Sequence, residues 1–364
     1  MAGTLPRTLT RRTIARTIAL LGSASAPRPV RAQIPTGVLS VETGPWPAAT
    51  PEVAGIDPAL PDTLDAVIAE YPAVTGIVVI RGGAIVTEHY QGDYGRDDLF
   101  DVRSVTKSMT GTLIGIARQR NELSSLDATI GELLPDRIPD GADPAVAGIT
   151  VASLLTMTSG LEWDYRTDYG RLEASADPVL TTLSQPVTAE QGEVYVYNSG
   201  GSHLLGLIVA EVSGQPLEDY ADDVLFAPLG IAAGSWGRTP QGEVIGGYGL
   251  RLTPRDMGRL GQVYLNEGTW NGARLLAADY VRAATSYQSA GDGTGRTPYG
   301  YQWWVTDASG YDAFYALGYG GQYIYVVPEL DLICVIAVGF ETELLELRSP
   351  RPIIETVIVP AVRP

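Results

Sequence analysis

Lysine is almost missing from this 364-residue chain: Lys107 is the only one, and the other 24 basic residues are arginines. Cysteine occurs once, as Cys334 inside the apolar run Leu332–Val338, so no internal disulfide can form and a buried strand thiol is expected. Two histidines, His89 and His203, are too few for a typical histidine zinc site, and neither Cys-x-x-Cys nor His-Glu-x-x-His occurs. Gly318, Gly320 and Gly321 precede a strand-like run instead of opening a helix, the wrong context for a phosphate-binding loop. These absences lead us to expect a protein that works without metal or cofactor. Positive charge is also short. The net charge is −17, and the first 32 residues hold six arginines and no acid, which leaves −23 on the rest. So acidic a body argues against a nucleic-acid or anionic-membrane partner. No apolar run reaches the length of a bilayer-spanning helix.

What is present begins with a basic leader. Thr10-Arg11-Arg12-Thr13-Ile14 precedes a short apolar stretch, Ile18–Ala26, which reads as an export signal of the twin-arginine kind. Ala24-Ser25-Ala26 is followed by Pro27, which blocks cutting, so cleavage is expected after Val30-Arg31-Ala32. The expected location is periplasmic or extracellular. Residues 33–54, rich in Pro, Gly and Thr, read as an extended arm, and 55–364 as one catalytic domain.

The solitary lysine sits in Ser104-Val105-Thr106-Lys107, at the start of a predicted helix from Ser104 to about Arg120. Met109, Leu113, Ile116 and Ala117 recur there at helical spacing. A three-residue step puts Ser104 and Lys107 on one face. An amine beside a hydroxyl is one way to activate a serine nucleophile, and the helix start favours developing negative charge. Ser-x-x-Lys alone is a weak motif. It gains weight because arginine, which stays protonated, cannot replace lysine in proton transfer.

Around it, Asp57-Pro58 opens a predicted helix to about Glu70. Gly76–Ile80 and Ala84–Tyr90 flank Arg81-Gly82-Gly83 as a hairpin. Residues 121–149 read as loop, and Thr150–Met157 as a short helix broken at Ser159-Gly160. Leu161–Ala176 reads as irregular; its Trp163, Asp164, Tyr165, Asp168 and Tyr169 are candidates for a cleft wall. Helices are expected over Ser199–Val212, from Thr253-Pro254 to Asn266, over Ala277–Thr285 and over Pro352–Val359. Strands are expected at Tyr299–Thr306, Gln322–Val327 and Leu332–Gly339. The strands lie at the two ends (about 55–103 and 286–364) and the helices in the middle (about 104–285). One sheet therefore gathers both ends, giving an α+β architecture with a cleft beside a mostly helical region.

A serine nucleophile needs a proton acceptor and an oxyanion site. A histidine triad stays open, although no Gly-x-Ser-x-Gly elbow supports it. The other candidate partner is Tyr197, in Val194-Tyr195-Val196-Tyr197-Asn198-Ser199. A phenol near pKa 10 is a poor base, but a nearby Lys107 cation would lower that value.

Taken together, Ser104–Lys107, Tyr197-Asn198-Ser199 and the segment Leu154–Leu161 resemble the β-lactamase-related serine hydrolases. That group includes class C β-lactamases, carboxylesterases, D,D-peptidases and 6-aminohexanoate-dimer hydrolases. Gly249–Met257 and Tyr299–Trp304 are also similar to family segments, and the likeness covers about residues 55–360. It implies a β-lactamase/transpeptidase-like fold with an antiparallel sheet flanked by helices. It implies Ser104, Lys107 and Tyr197 as catalytic residues, with the backbone N–H groups of Ser104 and Tyr319 as oxyanion donors. Two departures stand out. Ser199 replaces the family's asparagine, and Ala316-Leu317-Gly318, counted back from Pro328, stands where β-lactamases carry Lys-Thr-Gly. With Trp163, Tyr165, Asp168 and Ser199, these three are the expected substrate contacts. The expected activity is hydrolysis of a small ester or linear amide through an acyl-enzyme. Action on β-lactams or peptidoglycan peptides is the alternative, and an idle acyl- or peptidoglycan-binding protein is the rival from another class.

Overall fold

The computed structural model describes residues 46–232, 235–291, 297–339 and 348–363. The expected leader, its cleavage point at Ala32 and the first part of the arm lie outside these. The described end of the arm runs along the sheet, with Trp46 buried and the Ala49 N–H donating to the Ile85 oxygen.

Six antiparallel strands form the sheet: β1 (Val74–Arg81), β2 (Ala84–Tyr90), β3 (Trp304–Ala308), β4 (Tyr311–Gly318), β5 (Gln322–Val327) and β6 (Leu332–Val338). Their order is β2-β1-β6-β5-β4-β3, so the two chain ends meet where β1 pairs with β6. β4 was not expected. Its signal is Ser309-Gly310, a two-residue loop with both φ values positive (53° and 89°) joining Ala308 to its partner Tyr311. β3 starts at Trp304, five residues later than the expected run from Tyr299.

Each face of the sheet is covered, which is why β1 and β6 read as near-continuous apolar runs. Ile77, Val79, Cys334 and Ile336 face helix α1 (Leu60–Ile68) and the wide final turn Ile353–Ile358. Alternate residues Val78, Ile80, Ile333 and Val335 face the larger core. That core also takes Met109 and Leu113 from α2 (Val105–Gln119). Each such side chain, fully buried, contributes roughly 1.5–3 kcal/mol. Next come α3 (Val151–Leu155), α4 (Tyr165–Glu173), α5 (Ser199–Ser213), α6 (Pro254–Leu265) and α7 (Ala278–Ala284).

The helix α4 corrects the expectation of an irregular 161–176. Asp164 and Asp168, read as part of a polar wall, are what make it helical. The Asp164 carboxylate accepts from the Arg166 N–H, while Asp168 accepts from the Asp164 N–H at 2.8 Å. Residues 121–149 likewise contain a short helix at Ile130–Leu133, started by a capping box between Thr129 and Glu132. Among the described residues no helix is long and apolar enough to cross a membrane.

Candidate active site

The site forms where the start of α2, the start of α5 and the end of β4 converge. Arg103 precedes α2 with φ at 51°, an uncommon value for a side-chain-bearing residue. Two bonds hold it there: the Arg103 N–H donates to Asp101 at 2.9 Å, and the Thr106 hydroxyl donates to the Arg103 oxygen at 2.6 Å. Ser104 follows with helical backbone angles and makes no side-chain cap. Its hydroxyl is therefore left for other partners at a partly open position.

Those partners are Lys107 and Tyr197. The Lys107 Nζ lies 3.2 Å from the Ser104 Oγ, 3.0 Å from the Ser199 Oγ and 2.7 Å from the Gly247 oxygen. The Tyr197 and Ser104 hydroxyls are hydrogen-bonded, and Lys107 Nζ sits 5.0 Å from the Tyr197 ring centre. Lys107 is 1% exposed. Among the described residues it forms no ion pair, and burial against neutral acceptors brings its pKa down to about 7. Burial also drives the Tyr197 phenol well above its ordinary value, outweighing the hydrogen bond with Ser104. This reverses the electrostatic expectation. The lysine is too weakly charged to create a phenolate; at neutral pH the amine is the better proton acceptor and the phenol stays protonated.

Support for Tyr197 comes from the segment Leu154–Leu161. Met157, with φ at 60°, takes the Val196 N–H on its oxygen and the Asn198 N–H on its sulfur. Asn198 then caps α5, its side chain accepting from the Gly201 N–H.

The end of β4 lies unusually close to the Ser104 turn. A Cβ on Gly318 would stand 2.3 Å from the Val102 oxygen, so only glycine allows the approach. Tyr319 follows directly after this point of approach to the start of α2. Among the described residues neither the Ser104 nor the Tyr319 N–H has a protein acceptor, which leaves two donors free for an oxyanion.

The other expected contacts divide. Tyr165 is 40% exposed and stands edge-on to Tyr197 with ring centres 5.6 Å apart. Tyr197 in turn stacks on Trp304 at 6.0 Å, so the surroundings of Ser104 on this side are aromatic. Trp163 is buried in a small cluster with Leu172 and Tyr248. Asp168 is turned onto its own helix and bonded to Arg171 at 2.6 Å. Ser199 is buried and meets Lys107. Ala316 is 1% exposed, and Leu317 packs on the opposite face of the sheet, because successive strand residues alternate. Neither histidine touches Ser104: His89 pairs with Asp65 at 2.6 Å, and His203 is buried beneath Gly246.

Two positions escaped the sequence reading. Gly247 supplies the shortest bond to Lys107, and its only signal was the glycine pair Gly246-Gly247. Gln302 ties the site's scaffold together: its oxygen accepts from Ser108 at 2.6 Å, its side chain accepts from Ser202 and donates to the Leu154 and Leu155 oxygens. It lies in the family-like segment Tyr299–Trp304, but nothing in the sequence pointed to this scaffold role.

Comparison with known proteins agrees with this architecture. The 6-aminohexanoate-dimer hydrolase of Paenarthrobacter ureafaciens is 25% identical over 333 residues, 79% of this chain and 81% of that protein. Esterase EstB of Burkholderia gladioli is 31% identical over 206 residues, about half of each chain (50% and 51%). The octameric penicillin-binding protein homologue from Pyrococcus abyssi superposes with a TM-score of 0.62 at 20% identity, covering 80% of this chain and 75% of that one. The β-lactamase family model matches residues 64–343, and the chain belongs to the β-lactamase family of hydrolytic proteins.

Proposed function

We propose that this protein is a serine hydrolase that cleaves an uncharged ester or linear amide through an acyl-enzyme on Ser104. The observation that carries the reading is the position of the Ser104 hydroxyl, partly open to solvent, between a near-neutral amine and a protonated phenol. In its neutral form Lys107 has two hydrogens for Gly247 and Ser199 and one lone pair for Ser104. Ser104 Oγ attacks the carbonyl carbon as its proton passes to Lys107 Nζ. The oxygen of the tetrahedral intermediate takes the Ser104 and Tyr319 N–H groups. Collapse breaks the bond to the leaving alcohol or amine, which takes a proton through the Tyr197 hydroxyl and Lys107. Water then repeats the sequence on the acyl-enzyme, and Ser104 recovers its proton.

The similarities to an amide hydrolase and an esterase support this substrate class. Action on β-lactams or D,D-peptides has the family on its side, but Ala316 and Leu317 offer no cation or hydroxyl for a substrate carboxylate. Of the two alternative cations, Arg255 is committed to Glu88 at 2.6 and 2.9 Å, while Arg251 is exposed and remains the arginine that could serve a carboxylate. We further propose export through the arginine-rich leader, checked by the N-terminal sequence of protein recovered outside the cytoplasm. A fluorophosphonate probe tests the central reading. It should label Ser104 in the parent and nothing in Ser104→Ala; an unlabelled parent would show an idle binding protein instead.

A further inference from the structure

Lys107 and its surroundings are built from two helices in the same way. On α2, Lys107 donates to the Gly247 oxygen at 2.7 Å and Thr110, one turn on, donates to the Gly246 oxygen at 2.7 Å. On α5, Ser199 accepts from Lys107, and His203, one turn on, accepts the Gly246 N–H on its Nδ1 at 3.4 Å. The glycine strap is pressed between them: a Cβ on Gly246 would stand 2.7 Å from the Ser202 oxygen, and one on Gly247 2.6 Å from the Ser199 oxygen. Gly246 is thus held at both its N–H and its C=O, and the next carbonyl meets the lysine.

We infer that Thr110 and His203 are positioning residues, which clamp the Gly246 peptide so that the Gly247 carbonyl stays aimed at the Lys107 amine. The inference rests on the reading of Lys107 as the base. His203 supports it in a second way. Its Nε2 is buried with no partner among the described residues, a cost that an apolar residue would avoid. What the imidazole supplies in return is the Nδ1 acceptor, which assigns the proton to Nε2. Burial keeps the ring neutral, with a pKa brought down to about 4; the carboxylates of Glu243 and Asp177 oppose this and the Arg137 cation adds to it. Around Lys107 itself the groups are the neutral Tyr197 ring and the acceptors already named.

A backbone carbonyl steadies the ammonium form of an amine, so releasing it favours the neutral form. The test is the pH dependence of kcat/KM in the parent, Thr110→Val, Thr110→Ser, His203→Leu and His203→Asn. Thr110→Val and His203→Leu should lower kcat about tenfold, leave KM within about twofold and move the acidic limb down by about half a pH unit or more. Thr110→Ser and His203→Asn, which keep a hydroxyl and a side-chain acceptor, should restore both kcat and the limb. A variant that fails to fold is replaced by the change at the other clamp residue, which reads the same carbonyl. A parent limb near pH 7 that neither Thr110→Val nor His203→Leu moves overturns the positioning role alone. A parent profile flat through pH 7 overturns the reading of Lys107 and this inference with it.

Discussion

The amine of Lys107 donates to the carbonyl oxygen of Gly247, 140 residues further along the chain, at 2.7 Å. The bond is made to a neutral dipole. An ammonium paired with a carboxylate would keep its charge to high pH, whereas one surrounded by neutral oxygens and buried loses it near pH 7. In the proposed mechanism that difference makes Lys107 the base for Ser104, and four predictions rest on it and on the packing of β4.

Ser104→Ala should remove turnover and leave the fold unchanged. Loss of a nucleophile costs roughly 10⁴–10⁶ in rate. The hydroxyl makes no helix cap, so stability should hold. Steady-state kinetics and thermal melting check both halves; retained turnover would move attention to the histidines.

Lys107→Arg should be nearly as inactive as Lys107→Ala. Arginine carries the same charge but does not deprotonate, and its fork does not fit an Nζ position held by three converging oxygens. An arginine variant retaining more than about a tenth of parental kcat/KM, a loss of ~1.4 kcal/mol, would reduce the lysine to an electrostatic role.

Stability gives an independent reading of the same pKa. In the unfolded chain Lys107 titrates near 10.5, and in the native protein near 7. Between those values the unfolded state binds more protons, so stability rises with pH across this window. The full span is worth on the order of 5 kcal/mol at 1.36 kcal/mol per pH unit. Lys107→Met removes the titration. The stability of the parent minus that of Lys107→Met should therefore climb between pH 7 and 10, as read by urea denaturation. A flat difference would mean that the buried amine keeps its charge.

Gly318→Ala should damage catalysis more than folding. The new methyl meets the Val102 oxygen and must push the end of β4, with the Tyr319 N–H, away from Ser104. Losing one oxyanion donor costs about 10²–10³ in kcat. Equal kcat in the variant would remove Tyr319 from the oxyanion site. Substrate preference is a separate expectation: p-nitrophenyl butyrate should exceed nitrocefin in kcat/KM by about tenfold or more, because a charge-assisted bond to the β-lactam carboxylate, worth about 1.5–3 kcal/mol, has no donor at Ala316 or Leu317. Nitrocefin as the better substrate would make a β-lactamase the leading reading.

The amino-acid sequence by itself determined many of the local elements, though not β4 or α4, and singled out the groups proposed to react. Apolar periodicity set α2, α5 and α6 to within a residue or two, because helix patterns and caps such as Thr253 are short-range. The solitary lysine three residues after Ser104 marked the proposed chemistry. What tertiary structure alone decided is the protonation of that chemistry. Burial of Lys107 depends on α5 and on the Gly246-Gly247 strap, both far from it in the chain, so sequence spacing led to a charged lysine and an acidified tyrosine where packing produces the opposite. The same holds for Leu317, Asp168 and Gln302. Which face of a sheet, which helix cap or which scaffold contact a side chain serves depends on neighbours that come together only when both chain ends enter one sheet.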